Sequence, residues 1–209
     1  MTDLKRLWVG LAGAVVAFAS LGQTATAQVY RIDNTAQPAV IRVAIRGLNP
    51  SGEPDPRGRI EWVQTVPFEQ YCEDVLPNEW IPSWNSESLK AGAMAIKMFA
   101  WYHHLHPVTV DGFTFDVDNT VNFQTFRYMS EQPMTNRAVQ AVRRFAYVRP
   151  DGEIIELNYR AGNPQDPNWQ YRNAQKMAQW GSEYWAEQGR SYVQILQFYY
   201  MDRALRQYG

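Results

Sequence analysis

The sequence has almost no cysteine and no excess of positive charge, and both absences limit what the protein can be. Cys72 is the single cysteine, so no internal disulfide can form and stability must come from packing. We expect Cys72 to be a small buried hydrophobe rather than a nucleophile, because no activating group is evident around it. Lysine and arginine number 20 against 21 aspartates and glutamates, a net charge of −1. We therefore expect no nucleic-acid partner.

Long apolar runs are also missing, except near the N-terminus. Two basic residues, Lys5 and Arg6, precede an apolar stretch from Leu7 to Leu21, and small residues follow at 25–27. This pattern is typical of a signal peptide at residues 1–27. The apolar stretch is short for a membrane span, which needs about 20 residues. We therefore expect an exported protein, in the periplasm, cell wall or extracellular space, with no membrane span after cleavage.

Composition and periodicity predict one domain of mixed secondary structure. With 45% hydrophobic and 14% aromatic residues, the chain can bury one sizeable core. Alternation over Val40–Ile45 and Ile60–Val66 predicts two strands, separated by a turn-rich surface loop. A turn at 150–153 predicts a hairpin between Ala146–Arg149 and Ile154–Tyr159. We predict a single α+β domain over residues 28–209, with β-strands flanking a helical centre and two C-terminal helices.

Two of the central helices are predicted on either side of a bend. The first runs from Phe68 to Val75 and should end ahead of Pro77, since proline has no N–H to donate and disfavours helix in the preceding residue. The second begins with Asn85 or Ser86 as its N-cap. Apolar residues then recur at helical spacing, which gives the second helix a face for the core. A further helix is expected at Arg137–Phe145.

The bend carries the chemistry that the sequence offers. Glu79 lies there, near Trp80 and Trp84. A carboxyl packed against tryptophan loses solvation, which penalises its charged form and raises its pKa. Such a group can donate the proton that cleavage of a glycosidic bond requires. Because most glutamates are solvated, the pattern alone leaves both a catalytic and a surface role open for Glu79.

The stretch from Tyr71 to Tyr102 resembles a family of peptidoglycan-remodelling proteins, that of stage II sporulation protein D and the amidase enhancer LytB (SpoIID/LytB). The family carries a motif of the form YL-x-GVV-x-x-EM, a W-P elbow and EALKAQAVAARTYA. The residues in step with it are Tyr71, Val75, Leu76, Glu79, Trp84, Glu87, Leu89, Lys90, Ala91, Ala93, Ala95 and Ala100. A second block, Gln179 to Tyr200, resembles the family's SQWGA and AEQG-x-SY-x-x-IL-x-x-YY. The matches cover roughly residues 60 to 200, and two ordered blocks are much harder to obtain by chance than one.

The resemblance implies a lytic transglycosylase that cleaves glycan strands already stripped of stem peptides. Glu79 would serve as acid and then as base, while the muramic acid's own 6-hydroxyl attacks the anomeric carbon. The residues that would bind the substrate are Trp80, Trp84, Lys90, Lys97, Gln124 and Gln179. Each of them could instead be a core, surface or purely structural side chain. The implied partners are peptidoglycan glycan strands and a cell-wall amidase, and the alternative function is a non-catalytic glycan-binding amidase enhancer.

Two parts of the chain contain, or align with, residues of metal-binding type. Some family members bind zinc through a His-Cys pair, where this chain has Asn122 and Phe123, which cannot replace those ligands. His103, His104 and His106 lack companion ligands nearby in sequence. We interpret them as a helix C-terminus, where histidine interacts favourably with the negative end of the dipole. We therefore predict no metal and no cofactor.

The largest departure from the family pattern follows Tyr159. The family usually has a Ser-Ser-x-Gly-Gly cluster and a longer loop there, whereas this chain has Arg160-Ala161-Gly162 and then residues 163–168. If that loop shapes the substrate groove, its shortening alters the activity. This departure favours the non-catalytic alternative.

Overall fold

The computed structural model describes residues 36–166 and 171–208, so the predicted signal peptide at residues 1–27 lies outside the described residues. The strands are β1 (Val40–Arg46), β2 (Ile60–Pro67), β3 (Val108–Val110), β4 (Phe113–Phe115), β5 (Val117–Asp118), β6 (Phe145–Val148), β7 (Asn158–Arg160), β8 (Lys176–Ala178) and β9 (Ala204–Gln207). The helices are α1 (Phe68–Glu79), α2 (Ser86–Leu105), α3 (Pro133–Val142), α4 (Gln179–Glu187) and α5 (Tyr192–Tyr199). The fold is α+β, as the sequence predicts.

Helix α2 is the centre of the molecule. Every residue from Ala91 to Trp101 is buried. A helix that is buried all round needs neighbours on every side, and α1, α3, α4 and α5 pack against it. Its N-terminus is capped as predicted, because the Asn85 side chain accepts a hydrogen bond from the Glu87 N–H at 2.9 Å.

Helix α1 continues through Pro77 to Glu79, so the prediction that it ends ahead of the proline is wrong. Proline lacks the N–H that would bond to the Glu73 carbonyl and its ring crowds that carbonyl, which commonly kinks or ends a helix, yet the last turn of α1 keeps its helical conformation. Trp80 adopts an extended conformation and ends the helix, while its N–H donates to the Leu76 carbonyl at 2.8 Å. Glu79 is therefore the last residue of α1, at the negative end of the helix dipole.

A three-stranded sheet supports one side of α1 and α2. Strand β1 lies between β2, which is antiparallel to it, and β5, which is parallel. Asp118, at the end of β5, is fully buried and pairs with Arg46 at 2.6 Å. Its other oxygen accepts the Thr120 N–H at 2.9 Å and the Thr120 hydroxyl at 2.7 Å. These contacts set the direction in which the chain leaves the sheet toward residues 121–125.

The predicted hairpin around residues 150–153 is wrong. The turn itself forms, since the Gly152 N–H donates to the Arg149 carbonyl at 2.9 Å. However, β6 pairs antiparallel with β9, and β7 pairs in parallel with β8. Ile154 and Ile155, adjacent in the chain, are both buried, which a half-exposed hairpin strand would not allow. The local turn signal was correct, but packing of the following residues decides which strands pair.

The two predicted C-terminal helices are α4 and α5. Gly189 follows α4 with φ +80°, a conformation that glycine adopts without strain. Ser191 then caps α5 in a reciprocal arrangement with Gln194. Helix α3 begins and ends earlier than predicted, with Pro133 in its first turn. Within residues 36–166 and 171–208, none of the helices combines the length and the apolarity that a bilayer crossing would require.

Candidate functional site

Glu79 lines a cavity of about 340 Å³ that is partly open to solvent. The cavity lies where the end of α1 meets the segment after β5, the end of β7 and the start of α4. Its lining residues are Glu79, Val121, Phe123, Tyr159, Arg160, Ala161 and Gln179. The carboxyl at the bend is thus neither on a convex surface nor sealed in the core.

Two groups from distant parts of the chain hold the Glu79 carboxyl. The backbone N–H of Thr125 donates to Oε1 at 2.6 Å. The Gln179 side-chain amide donates to the Glu79 backbone carbonyl at 2.6 Å and makes a longer contact with Oε2 at 3.3 Å. The carboxyl orientation is therefore fixed by tertiary contacts, and Oε1 is the more firmly engaged oxygen.

The environment raises the pKa of Glu79 above its ordinary value. Burial is the main cause, because the charged form loses solvation. The hydrogen bonds from Thr125 and Gln179 and the positive charge of Arg160 act in the opposite direction but do not cancel it. The negative end of the α1 dipole also favours the neutral acid. Such a carboxyl keeps its proton to higher pH, as a general acid must.

Parallel pairing of β7 and β8 brings two polar residues to the same cavity. Arg160 lies opposite Ala178 at the ends of these strands. Ala161 and Gln179 follow, and the Trp180 N–H donates to the Ala161 carbonyl at 3.1 Å. Residues that are far apart in the sequence therefore emerge side by side at the carboxyl end of a parallel pair.

The segment after β5 supplies the apolar wall. Val121 is 76% exposed and Phe123 is half-buried. The ring of Phe123 contacts the His103 ring edge-on, with the centroids 5.0 Å apart. The intervening Asn122 donates from its side-chain amide to the Pro56 carbonyl at 2.8 Å. The surface loop around Pro56 therefore borders the segment that carries the cavity wall.

Gln124 was predicted to bind substrate, and that prediction is wrong because the residue is fully buried. Its amide oxygen accepts from the Tyr71 hydroxyl at 2.9 Å. Its amide nitrogen donates to the Tyr159 hydroxyl at 3.1 Å and to the Ile96 carbonyl at 3.4 Å. Gln124 thus holds Tyr159, a wall residue, from behind.

Trp80 is also a correction, since it is only 1% exposed and belongs to the core. Its indole N–H donates to the Ser182 hydroxyl at 3.1 Å. The ring lies directly against the backbone of α2 at Gly92, where an added Cβ would stand 2.6 Å from it. A ring enclosed in this way cannot stack on a sugar.

Lys97 is the third correction, because it is 4% exposed and faces away from solvent. Its ammonium donates to the carbonyls of Val142 at 3.1 Å, Arg143 at 2.7 Å and Phe145 at 2.7 Å. Val142 is the last residue of α3, so Lys97 satisfies carbonyls that the helix leaves without partners. Burial lowers the pKa of Lys97 to about 7. Lys97 is a structural cap rather than a glycan-binding residue.

Lys90 and Trp84 lie outside the cavity lining. Lys90 pairs with Glu87 at 2.6 Å, and Glu87 also accepts the Tyr192 N–H at 2.8 Å. The half-buried Trp84 ring packs against Trp180, with the centroids 4.8 Å apart. Substrate contact by Lys90 and Trp84 stays a prediction, as does direct sugar binding by Gln179, the remaining candidate, which does line the cavity.

The histidines that the sequence predicts at a helix C-terminus do lie at the end of α2, and two of them contact different carboxylates. His103 contacts Glu156 at 2.9 Å, and His104 contacts the buried Asp116 at 3.0 Å. Within the described part of the chain, no three side chains of the metal-binding types are grouped closely enough to hold an ion.

Sequence reasoning missed most of the cavity wall. Val121 and Tyr159 carry no chemical signature, and Thr125 contributes only a backbone N–H. Arg160 did leave a signal, since a charged residue follows Tyr159 where the family usually has small polar residues.

Comparison with known proteins identifies one region of the chain. Residues 56–147 match a family model described as Stage II sporulation protein (SpoIID). An uncharacterized protein of Brachyspira hyodysenteriae is 39% identical over 85 residues, which is 41% of this chain and 22% of that protein. The chain thus spans about a fifth of the length of this relative. The family match includes Glu79 and Thr125 and ends ahead of Arg160 and Gln179.

Proposed function

Residues 56–147 belong to the SpoIID family, and on that premise we propose that the protein is a lytic transglycosylase of peptide-stripped peptidoglycan strands. Membership of the family implies a function related to the cell wall. The proposed reaction cleaves the bond between N-acetylmuramic acid and N-acetylglucosamine, with Glu79 as the single acid and base.

The observation that carries the proposal is the state of the Glu79 carboxyl. It faces an open cavity, its pKa is raised by burial, and Thr125 and Gln179 hold its orientation. Because Oε1 accepts the short hydrogen bond from Thr125, Oε2 is the oxygen that can carry the proton. An acid positioned in this way meets the requirement of glycosidic cleavage for a proton on the leaving oxygen.

The proposed reaction has two proton transfers on the same oxygen. Glu79 first donates its proton to the glycosidic oxygen as the bond to the anomeric carbon of the muramic acid breaks. The 6-hydroxyl of the same sugar then attacks that carbon, and the Glu79 carboxylate takes the hydroxyl proton. The products are a free 4-hydroxyl on the glucosamine and a 1,6-anhydro end on the muramic acid, and Glu79 regains its proton.

The lining of the cavity favours this intramolecular attack over hydrolysis. Hydrolytic glycosidases generally use two carboxyl groups, about 5–10 Å apart, to activate water or to form a covalent intermediate. Among the described residues that line the cavity, Glu79 is the only carboxylic acid. A sugar hydroxyl as the nucleophile removes the need for the second group.

Amidase-treated glycan strands provide the direct test. We expect the protein to release fragments with 1,6-anhydro ends, detected by mass spectrometry. Glu79→Gln should lower the rate by about 10²- to 10⁴-fold, the usual contribution of an acid-base residue, while strand binding persists. Glu187→Gln, at an exposed position outside the cavity, is the matched control and should retain the rate.

Two outcomes would contradict the proposal in different ways. A wild-type protein that binds strands but never forms anhydro ends would be a non-catalytic glycan-binding module, such as an amidase enhancer. A Glu79→Gln variant that cleaves as fast as the wild type would remove Glu79 from the mechanism.

Export and an amidase partner are part of the same proposal. Peptidoglycan lies outside the cytoplasm, and residues 1–27 have the pattern of a signal peptide. An amidase would have to act earlier on the strand, because the proposed substrate has lost its stem peptides. N-terminal sequencing of the protein recovered from the cell envelope or medium should begin at Gln28, and a protein that begins at Met1 would contradict export by cleavage.

A further inference from the structure

The cavity beside Glu79 contains one positive charge, and the family motif does not account for it. Arg160 is the only basic residue among the described residues that line the cavity. It is exposed and lies at the end of β7, directly before Ala161. Both lysines that the sequence assigned to an anionic glycan lie outside this lining. Arg160 is therefore the positive charge that the cavity lining offers to an anionic ligand.

The guanidinium of Arg160 is available to a ligand. Its one hydrogen bond within the described residues is from Nη1 to the adjacent Tyr159 carbonyl at 2.7 Å. Its charge also acts on Glu156 and helps to lower the pKa of that carboxyl, but no described carboxylate is close enough to form an ion pair with it. Other arginines differ, since Arg42 pairs with Asp116 and Arg46 pairs with Asp118. A guanidinium has five N–H donors in a fork that matches a carboxylate. Most of these donors therefore have no partner among the described residues.

The proposed substrate carries a matching anion at a suitable place. The stem peptide is joined by an amide to the lactyl group on C3 of the muramic acid, and removal of the peptide leaves a lactyl carboxylate. In a peptide-bearing strand the same carbon is an uncharged amide carbonyl. The C3 substituent lies on the same ring as the anomeric carbon. One sugar ring in the cavity can therefore present its scissile bond to Glu79 and its lactyl group to Arg160.

We propose that Arg160 selects peptide-stripped strands by binding the lactyl carboxylate of the muramic acid whose bond is cleaved. This inference rests on the proposed function, and it makes Arg160 a specificity-determining residue. Arg160 and Glu79 both line the cavity, and the positive charge of Arg160 partly offsets the burial that raises the pKa of Glu79. A bound carboxylate would neutralise this effect and help Glu79 to keep its proton.

The inference is tested with two kinds of strand, which differ in whether the lactyl group is a free carboxylate or carries a stem peptide. Initial rates are compared on amidase-treated strands and on matched strands that retain their stem peptides. For the wild type we expect a higher kcat/KM on the treated strands. Arg160→Gln should lower kcat/KM on treated strands by about 10-fold, as expected for a charge-assisted hydrogen bond, and should leave the rate on peptide-bearing strands nearly unchanged. Arg160→Lys keeps the charge but not the forked donors, so its kcat/KM on treated strands should lie between those of the wild type and Arg160→Gln.

A control and a binding measurement separate this inference from the proposed function. Arg137→Gln, at an exposed arginine of α3 outside the cavity, should keep the wild-type preference. Calorimetric titration of both strand types into Glu79→Gln, with and without Arg160→Gln, measures the same preference without catalysis. If no variant cleaves but Arg160 still decides which strand binds, the inference stands and the enzymatic function fails. If treated strands are cleaved and Arg160→Gln leaves the preference intact, the inference is overturned and the function stands.

Discussion

Glu79, half-buried at the end of α1, and Lys97, buried in α2, are both ionisable residues removed from water, yet their surroundings are opposite. Glu79 faces a cavity and has two donors, one of them distant at 3.3 Å. The Lys97 ammonium donates to three carbonyls and is enclosed by the core. Each group has a pKa displaced toward its neutral form by burial. A displaced pKa is therefore a poor indicator of function by itself, and access to solvent distinguishes the two residues.

The largest stability effect should come from Lys97→Met. Methionine fills a similar volume but leaves the Val142 and Phe145 carbonyls without the Lys97 donor, while the Arg143 carbonyl keeps the Tyr208 hydroxyl as a donor. Removal of a buried charge offsets this loss only in part. We expect roughly 2–3 kcal/mol of destabilisation, which would lower the melting temperature by about 5–10 °C in a domain of this size. Lys97→Arg keeps the charge and the donors and is the control. If Lys97→Met kept the wild-type melting temperature but bound glycan strands more weakly, Lys97 would be a binding residue and not a structural one.

Gly92→Ala should have the next largest effect, since it tests the close packing of the Trp80 ring against α2. The new Cβ would stand 2.6 Å from the Trp80 ring, next to Glu79 in the chain. Overpacking outweighs the helix propensity gained by alanine, so we expect a net loss of roughly 1–2 kcal/mol in chemical denaturation. Adding Trp80→Phe should recover part of that loss, because the smaller ring leaves space. If Gly92→Ala cost as much stability in the Trp80→Phe background as in the wild type, the contact with the Trp80 ring would not be the cause.

The pH dependence of stability should reveal the raised pKa of Glu79. In the folded state this carboxyl binds its proton more tightly than in the unfolded state, whose pKa is near 4.5. The wild type should therefore lose stability relative to Glu79→Gln as the pH rises from about 4.5 through the folded-state pKa. Urea denaturation of both proteins at several pH values measures the difference. A difference that does not change with pH, or that changes in favour of the wild type, would contradict the displaced pKa.

Lys90→Met should give the smallest effect and sharpens the contrast with Lys97. The ion pair of Lys90 with Glu87 is partly exposed and spans one helical turn, so its loss should cost about 0.2–0.5 kcal/mol. Thermal unfolding measured beside Lys97→Met tests this directly. If Lys90→Met destabilised as much as Lys97→Met, burial would not be what distinguishes the two lysines.

Local features of the sequence were the most predictable. The N-cap of α2 was predicted to be Asn85 or Ser86 and is Asn85, because a cap depends on a few adjacent residues. The burial of Cys72 was also anticipated, and burial raises the pKa of its thiol to about 12. Pro77 was misread because the sequence does not show how near a proline lies to the end of its helix.

The candidate site could be predicted only in part, because its members come from distant segments. Glu79 and Gln179 were both named from the sequence, and a hydrogen bond joins them. Gln124 and Phe123 are neighbours, yet the expected binder points into the core and its neighbour lines the cavity. Phe123 closes a turn in which its N–H donates to the Thr120 carbonyl at 3.1 Å, and the sequence did not show how that turn would orient the two adjacent side chains.

The amino-acid sequence by itself determined the central helix, its caps, the α+β class and the resemblance that singled out Glu79, because these depend on local periodicity and on motif residues. Tertiary structure alone decided that Glu79 faces a cavity while Trp80, Lys97 and Gln124 face the core. It also brought Arg160 beside Glu79, through the parallel pairing of β7 with β8. Such outcomes follow from contacts between segments far apart in the chain, where the packing of the whole core sets which side of each helix and strand meets solvent.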